Sequence, residues 1–238
     1  MRISVVMPAY NEEDVIEATV RNCFTVFRQN NIIGEVVVCN DGSRDRTPAI
    51  LERLKDEFSA LVVITHSPNQ GYGAALADAI GASTGDLVVT IDSDGQFDLG
   101  ELPELLGQMS DGTDILTGYR RAKRDSFIKV FADRVMNRMI RCAFGTPLKD
   151  TNCAFKVCRG DRLRAMPLEA RGFQIPTEIV LKAPLLGFTV LEAPVTHAPR
   201  RGGRSSLATF RTALQMLKFL LYLRIKFALF RQRVIRSL

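Results

Sequence analysis

Asp86-Leu87-Val88-Val89-Thr90-Ile91-Asp92-Ser93-Asp94-Gly95-Gln96 is the stretch from which the rest of the chain is read. Its first half is a short apolar, β-branched run bounded by turn residues, the pattern of a buried strand. Two carboxylates, two residues apart, follow at once. At the carboxyl edge of such a strand they put two hard oxygen ligands where open α/β sheets bind their ligands. Mg²⁺ or Mn²⁺ suits that arrangement, since these ions take one or two carboxylates and leave other positions to water and substrate phosphates. Asp and Gly are also ordinary turn formers, and residues 92–96 alone leave both readings open.

Working outward, residues 3–7 read as a strand ended by Pro8. Residues 11–14 (Asn-Glu-Glu-Asp) supply a cap and first-turn acids for an amphipathic helix to about residue 28. Residues 35–39 form a second strand, ended by Asn40-Asp41-Gly42-Ser43. Asp45, Thr47 and Pro48 open the next helix, with Ile50, Leu51, Leu54 and Phe58 on its inner face. After a third strand at 61–65, Asn69-Gln70-Gly71-Tyr72-Gly73-Ala74-Ala75 leads into an Ala-rich helix to about residue 83. This alternation predicts an α/β fold: a Rossmann-like, mostly parallel sheet flanked by helices, with right-handed crossovers.

Three polar loops fall at carboxyl ends of those strands: 8–12, 40–43 and 92–94. Side by side they make a crevice lined with carboxylates and a tyrosine. Acceptors of this kind suit ribose hydroxyls and base N–H groups, and the Asp pair suits a metal-held diphosphate. The Gly71/Gly73 loop lacks the Lys-Ser/Thr of a phosphate-binding loop and the glycine spacing of dinucleotide folds. Neither an ATPase nor a dehydrogenase is favoured.

The 238 residues, 46% hydrophobic and 24% charged, suit one large α/β domain or a domain with an appendage. Five cysteines (23, 39, 142, 153, 158) without metal-like spacing read as reduced thiols of a cytosolic protein. The N-terminus runs straight into a strand and is too short for a signal-peptide core. No run of 18 apolar residues offers a membrane span. The net charge of +6 is unevenly spread. Residues 119–141 carry eight Lys/Arg against Asp125 and Asp133, and residues 199–238 carry ten Lys/Arg with no acid. An acidic body with two basic surfaces implies an anionic partner, either nucleic acid or membrane.

Seven segments in order carry a family resemblance. They are Pro8-Ala-Tyr-Asn-Glu-Glu13, Asn40-Asp-Gly-Ser-Arg-Asp-Arg-Thr47, residues 69–75, Asp92-Ser-Asp-Gly-Gln96, Gly118-Tyr-Arg120, Asp150-Thr-Asn-Cys-Ala-Phe-Lys156 and Arg200-Arg-Gly-Gly-Arg-Ser205. Over residues 2–206 the chain resembles family 2 glycosyltransferases of the GT-A fold, in particular the polyprenyl-phosphate (dolichol-phosphate) mannosyl- and glucosyltransferases. The resemblance implies that Pro8, Tyr10, Glu12 and Asp41 hold the nucleoside, with Ala9, Asn11, Asn69, Gly71 and Ser93 completing the donor site. It implies that Asp92, Asp94 and Gln96 hold Mg²⁺ or Mn²⁺ and the donor diphosphate or sugar, with Asp92, Asp94 and Arg200 carrying the chemistry. Arg120, Lys129, Arg134, Arg200 and Ser205 would hold phosphates of donor and acceptor. The chain departs from the family pattern at Asn40, at Ser206 and at Asp133, where Asp, Lys and Ser are usual. Glu178 falls near the acceptor side, with a structural role as open as a catalytic one.

The implied activity is metal-dependent, inverting transfer of a sugar, mannose or glucose first, from a nucleoside-diphosphate sugar to a polyprenyl phosphate at the cytoplasmic membrane face. A lipid monophosphate is largely ionised near neutrality and needs no strong base, which agrees with a chain whose only histidines, His66 and His197, form no catalytic-looking pair. Residues 1–206 would form the transferase domain and 207–238 an amphipathic helical segment for a membrane surface, a second copy or a separate membrane subunit. On a helical wheel Arg211, Lys218, Lys226, Arg233 and Arg236 share one arc, opposite a broad apolar face. The alternatives are a family 2 enzyme with a non-lipid acceptor and a non-catalytic nucleic-acid-binding protein. The latter leaves the acidic crevice unexplained, and its basic stretches lack an interleaved aromatic platform.

Overall fold

The computed structural model describes residues 1–121, 127–199, 210–235 and 237–238, without the side chains of residues 127–129, 210 and 211. The first half alternates as the sequence predicts: β1 (Arg2–Ala9), α1 (Ile16–Gln29), β2 (Ile33–Asn40), α2 (Thr47–Glu57), β3 (Leu61–Thr65), α3 (Tyr72–Ala82) and β4 (Leu87–Thr90). There follow α4 (Leu102–Gln108), β5 (Ile115–Arg120), α5 (Phe127–Phe144), β6 (Lys156–Arg159), α6 (Gly160–Ala165), α7 (Ile175–Lys182), β7 (Val190–Val195) and α8 (Phe210–Arg231).

The strands form one sheet in the order β3-β2-β1-β4-β6-β5-β7. The first four are parallel, β6 runs antiparallel to both β4 and β5, and β5 pairs parallel with β7. The chain runs outward from β1 to β3 and returns to β4 on the other side of β1. That reversal opens the crevice at the carboxyl ends of β1, β2 and β4.

Pro8 does not end β1; it lies within it. The ladder to β4 stops at Val6–Thr90, so beyond it the strand pairs only toward β2, where Pro8 faces Cys39. A residue without an N–H is tolerated where one side of the ladder has already ended.

Strand residues alternate between two cores. Val5, Val36, Val38 and Val89 pack with Ile16, Val20, Leu51, Leu54 and Leu102 from α1, α2 and α4. Val6, Val37 and Val88 pack with Leu76, Ile80, Leu163, Ile175 and Ile179 from α3, α6 and α7. Both faces of the sheet are therefore covered, which explains why its strands are near-continuous apolar runs.

A third cluster joins α8 to the body, with Met216, Leu220, Leu223 and Phe227 meeting Ile140 of α5 and Leu181 of α7. The spacing of four, three and four residues is one helical stripe. The opposite side of α8 exposes Leu214, Leu217, Leu221 and Ile225. The cationic arc expected from the wheel is not a single face. Lys226 turns onto the body, where its ammonium donates to both Glu169 oxygens at 2.8 Å. The helix ends at Arg231, Arg233 has left-handed backbone (φ 60°), and Leu238 is buried in the third cluster. Arg236 and the Arg211 side chain lie outside the described residues. Among the described residues no helix is long and apolar enough to cross a membrane.

Candidate active site

Backbone and side-chain hydrogen bonds lock the three loops of the crevice to one another. Asn11, in the left-handed region that asparagine tolerates (φ 54°), accepts the Arg44 N–H at its Oδ1 (2.8 Å). Its own N–H donates to Ser43 Oγ (2.9 Å), and the Glu12 N–H donates to Thr47 Oγ1 (2.9 Å). Pro8, Ala9 and Glu12 are buried, whereas Tyr10 stands 46% exposed at the mouth. The first loop is thereby fixed to the second.

Asp41 is more deeply engaged than the sequence suggests. Its carboxylate accepts the Gln70 N–H (2.8 Å) and the Gly71 N–H (2.9 Å), and the His66 ring lies 2.8 Å away on Nδ1. Asn69 donates its amide to the Asp41 carbonyl (2.8 Å). His66 Nε2 meets Asp78 at 2.8 Å. Burial alone would lower the His66 pKa, but the Asp41 and Asp78 carboxylates outweigh it and hold the imidazole above its ordinary value. In this structure, Asp41 organises the 69–71 loop beside the crevice.

That loop needs its glycines for close packing. A Cβ on Gly71, whose φ is 102°, would lie 2.4 Å from the Arg171 carbonyl oxygen, and one on Gly73 would lie 2.0 Å from that of Ala170. No other residue fits there.

Asp92 and Asp94 follow the end of β4 in one loop, and both of their charges bear on the Tyr72 hydroxyl. Asp94 is 8% exposed and its Oδ1 accepts the Gln96 N–H (3.1 Å). Tyr72, which sequence reading missed, donates its hydroxyl to Asp92 Oδ1 at 2.7 Å and packs its ring against Phe173. Burial, followed by the Asp92 charge, pushes the Tyr72 hydroxyl well above its ordinary pKa, so it remains a donor. Ser93 is buried beneath, its carbonyl accepting Thr19 Oγ1. The donor chemistry of two carboxylates fits Mg²⁺ or Mn²⁺. Among the described residues no third His, Cys, Asp or Glu joins them, and a donor diphosphate is a chemically suitable source of further oxygen ligands.

Two expected ligands are used differently. Gln96 donates its side-chain amide to the Ala198 carbonyl (2.9 Å), while its backbone carbonyl accepts the Ala198 N–H (2.7 Å). Together with the Phe97–His197 bridge, this pairing ties the segment after β7 to the aspartate loop. Arg120, expected among the phosphate ligands, is instead held by carboxylates. Its Nε and Nη2 donate to the two Asp150 oxygens at 2.7 and 3.0 Å, and Nη2 reaches Asp133 at 3.4 Å. Its side chain is 14% exposed, and a guanidinium so enclosed requires countercharge. Asp150 was visible in the sequence as part of a motif, but its partner was not.

Glu178 is a brace. Fully buried, it accepts N–H groups of Glu169 and Ala170 and pairs with Lys182 at 2.7 Å. Arg134 is exposed on α5. Arg200, Ser205 and the Lys129 side chain lie outside the described residues.

A family model described as Glycosyl transferase family 2 matches residues 4–166. The chain belongs to that family. It is a glycosyltransferase, and its seven-stranded architecture is the GT-A fold. Similar solved structures include glucosyl-3-phosphoglycerate synthase from Mycobacterium tuberculosis bound to phosphoglyceric acid, at 22% identity and TM-score 0.71, covering 92% of this chain and 79% of that one. The same enzyme with Mn²⁺ and UDP-glucose matches at 23% identity and TM-score 0.69, covering 92% and 78%. At these identities the likeness carries the fold, and the crevice of this glycosyltransferase is read from its own residues.

Proposed function

We propose that this glycosyltransferase moves a hexose, mannose or glucose, from a nucleoside-diphosphate sugar to a polyprenyl phosphate at the cytoplasmic face of a membrane. The observation that carries the reading is the outward row of Leu214, Leu217, Leu221 and Ile225 on α8, exposed on a segment with no acidic residue. An exposed apolar row set among cations suits an interface with anionic lipid, where a lipid phosphate emerges.

On the donor side, Tyr10 and Glu12 face the nucleoside and the Asp41-braced loop shapes its pocket. Asp92 and Asp94 would hold Mg²⁺ or Mn²⁺, which would supply positive charge where negative charge grows on the leaving diphosphate. The related synthase with Mn²⁺ and UDP-glucose supports that assignment. An acceptor phosphate oxygen forms its bond to the anomeric carbon as the bond to the diphosphate oxygen breaks, and the configuration inverts. The nucleophile is already ionised, so the protein's task is to hold it in line. Lys129, Arg134, Arg200 and Ser205 are assigned to that task.

A second reading keeps the donor chemistry and takes a small phosphorylated acceptor, which the phosphoglycerate-binding synthase of the same fold favours. One experiment separates them. GDP-mannose and UDP-glucose are each incubated with the protein, Mg²⁺ or Mn²⁺, and either a polyprenyl phosphate or 3-phosphoglycerate, and products are identified by mass. A glycolipid is expected. Product from phosphoglycerate alone would overturn the lipid reading.

A further inference from the structure

A cleft of about 310 Å³ opens beside α5, lined by Asp133, Arg134, Asn137, Arg138, Arg141 and Lys149. Its polar floor is already satisfied. Asn137 is buried, donates to Asp133, and accepts from the Thr151 N–H and hydroxyl. Its cations are not. Among the described residues the guanidiniums of Arg134, Arg138 and Arg141 make no ion pair or hydrogen bond, and the Lys149 ammonium has only the face of Tyr119, 4.3 Å away. Three guanidiniums at i, i+4 and i+7 share one face of the helix. Held close together, they repel one another until an anion arrives, and guanidinium forks match phosphate oxygens.

The next strip of the same helix is apolar and exposed. Val135 is 41% and Met139 46% accessible, with Phe131 one turn earlier at 60%. Cations bordering an outward apolar strip are the layout of a helix lying at a lipid interface. A second copy of the same face would bring arginines against arginines, which disfavours self-association.

We infer that the end of this cleft formed by Arg138, Arg141 and Lys149 seats the phosphate headgroup of a bulk anionic phospholipid, with its acyl chains beside Val135 and Met139, while Arg134 at the other end is left to the acceptor phosphate. The lipid is a membrane component and not the sugar acceptor. Arg138, Arg141 and Lys149 would thereby fix the orientation of the enzyme on the bilayer, in addition to the contact made by α8. The inference rests on the membrane reading above.

The test uses the full chain and sedimentation with vesicles of phosphatidylcholine alone or with about one third phosphatidylglycerol. Wild type is compared with R138Q/R141Q and with L221Q/I225Q, whose folding is checked by thermal melting. Wild type is expected to bind the anionic vesicles, and R138Q/R141Q to lose about thirtyfold in affinity for them, as two cations near such a surface should. L221Q/I225Q should weaken binding to both vesicle types. If R138Q/R141Q binds like wild type while L221Q/I225Q does not, the membrane reading stands and the cleft assignment is overturned. If wild type binds neither vesicle, the membrane reading itself fails and takes this inference with it. Glycerol phosphate titrated by calorimetry should give no micromolar site. Such a site, lost in R138Q/R141Q, would make a soluble phosphoester the ligand and overturn the lipid assignment.

Discussion

The loops at the carboxyl ends of β1, β2 and β4 and the α5/α8 side of this molecule treat charge in opposite ways. In the crevice almost every charged group is already bonded: Asp41 to a loop and His66, Asp92 to Tyr72, Arg120 to Asp150. On the α5/α8 side, Arg134, Arg138 and Arg141 carry no such partners among the described residues, and large apolar side chains face outward. A site for a soluble nucleotide sugar gains from groups fixed before the ligand arrives, because little reorganisation is left for the reaction. A surface meant for a bilayer or another large partner keeps its charges and apolar groups open until contact.

The largest effect should come from breaking a bonded pair in the crevice. Asp150→Ala removes the bidentate counterion of a nearly buried guanidinium, leaving only the longer contact to Asp133, and should cost about 3–5 kcal/mol in denaturant unfolding. A loss under about 1 kcal/mol would show that Arg120 is solvated in solution and available to phosphates, as the family resemblance implies.

Next, Asp94→Asn keeps size and removes charge at the end of β4. Turnover should fall by about 10²–10³ while the melting temperature holds. Near-normal turnover with Mn²⁺ would remove Asp94 from the reaction.

A third comparison lies within one helix. Leu223 is fully buried and Leu221 is 63% exposed, two residues apart on opposite sides of α8. Leu223→Ala should destabilise by at least about 2 kcal/mol, Leu221→Ala by no more than about 0.5 kcal/mol. Equal effects would mean that α8 docks by its other face.

The smallest effects are in pH. Glu169 is held at a pKa of about 2: burial opposes this, but Lys182, Lys226 and Tyr222 outweigh it. A carboxylate lowered in the folded state stabilises above its unfolded value of 4.5 and loses that contribution as pH falls toward 2. Amide protection factors in α8, taken relative to the intrinsic exchange rate at each pH, should therefore fall below about pH 4.5, and Glu169→Gln should flatten the change. His66 runs the other way. Its raised pKa stabilises fully below the ordinary 6.5 and is lost as pH climbs through the folded value. The melting temperature should decline across that alkaline window, and no longer do so in His66→Gln.

Local sequence determined the first half of the chain. Residues 61–65 appear as β3 without adjustment, and the strand–helix alternation and loops at strand ends follow from hydrophobic period and turn chemistry. The Asp92/Asp94 pair was legible because its members sit two residues apart, within one loop. Partners distant in sequence were not legible. Nothing local joins Arg120 to Asp150, Tyr72 to Asp92, or His66 to Asp78 across their intervening residues. The wheel for the C-terminal segment gave one cationic arc because it could not know where the helix stops or that Glu169 draws Lys226 inward.

The sequence by itself therefore determined which elements form, which family they belong to and which residues meet at a strand end. Only the tertiary structure decided which of the charges are bonded and which stand open. Periodicity depends on neighbours along the chain, whereas a charge is satisfied or stranded by whatever packing brings within about 3 Å of it.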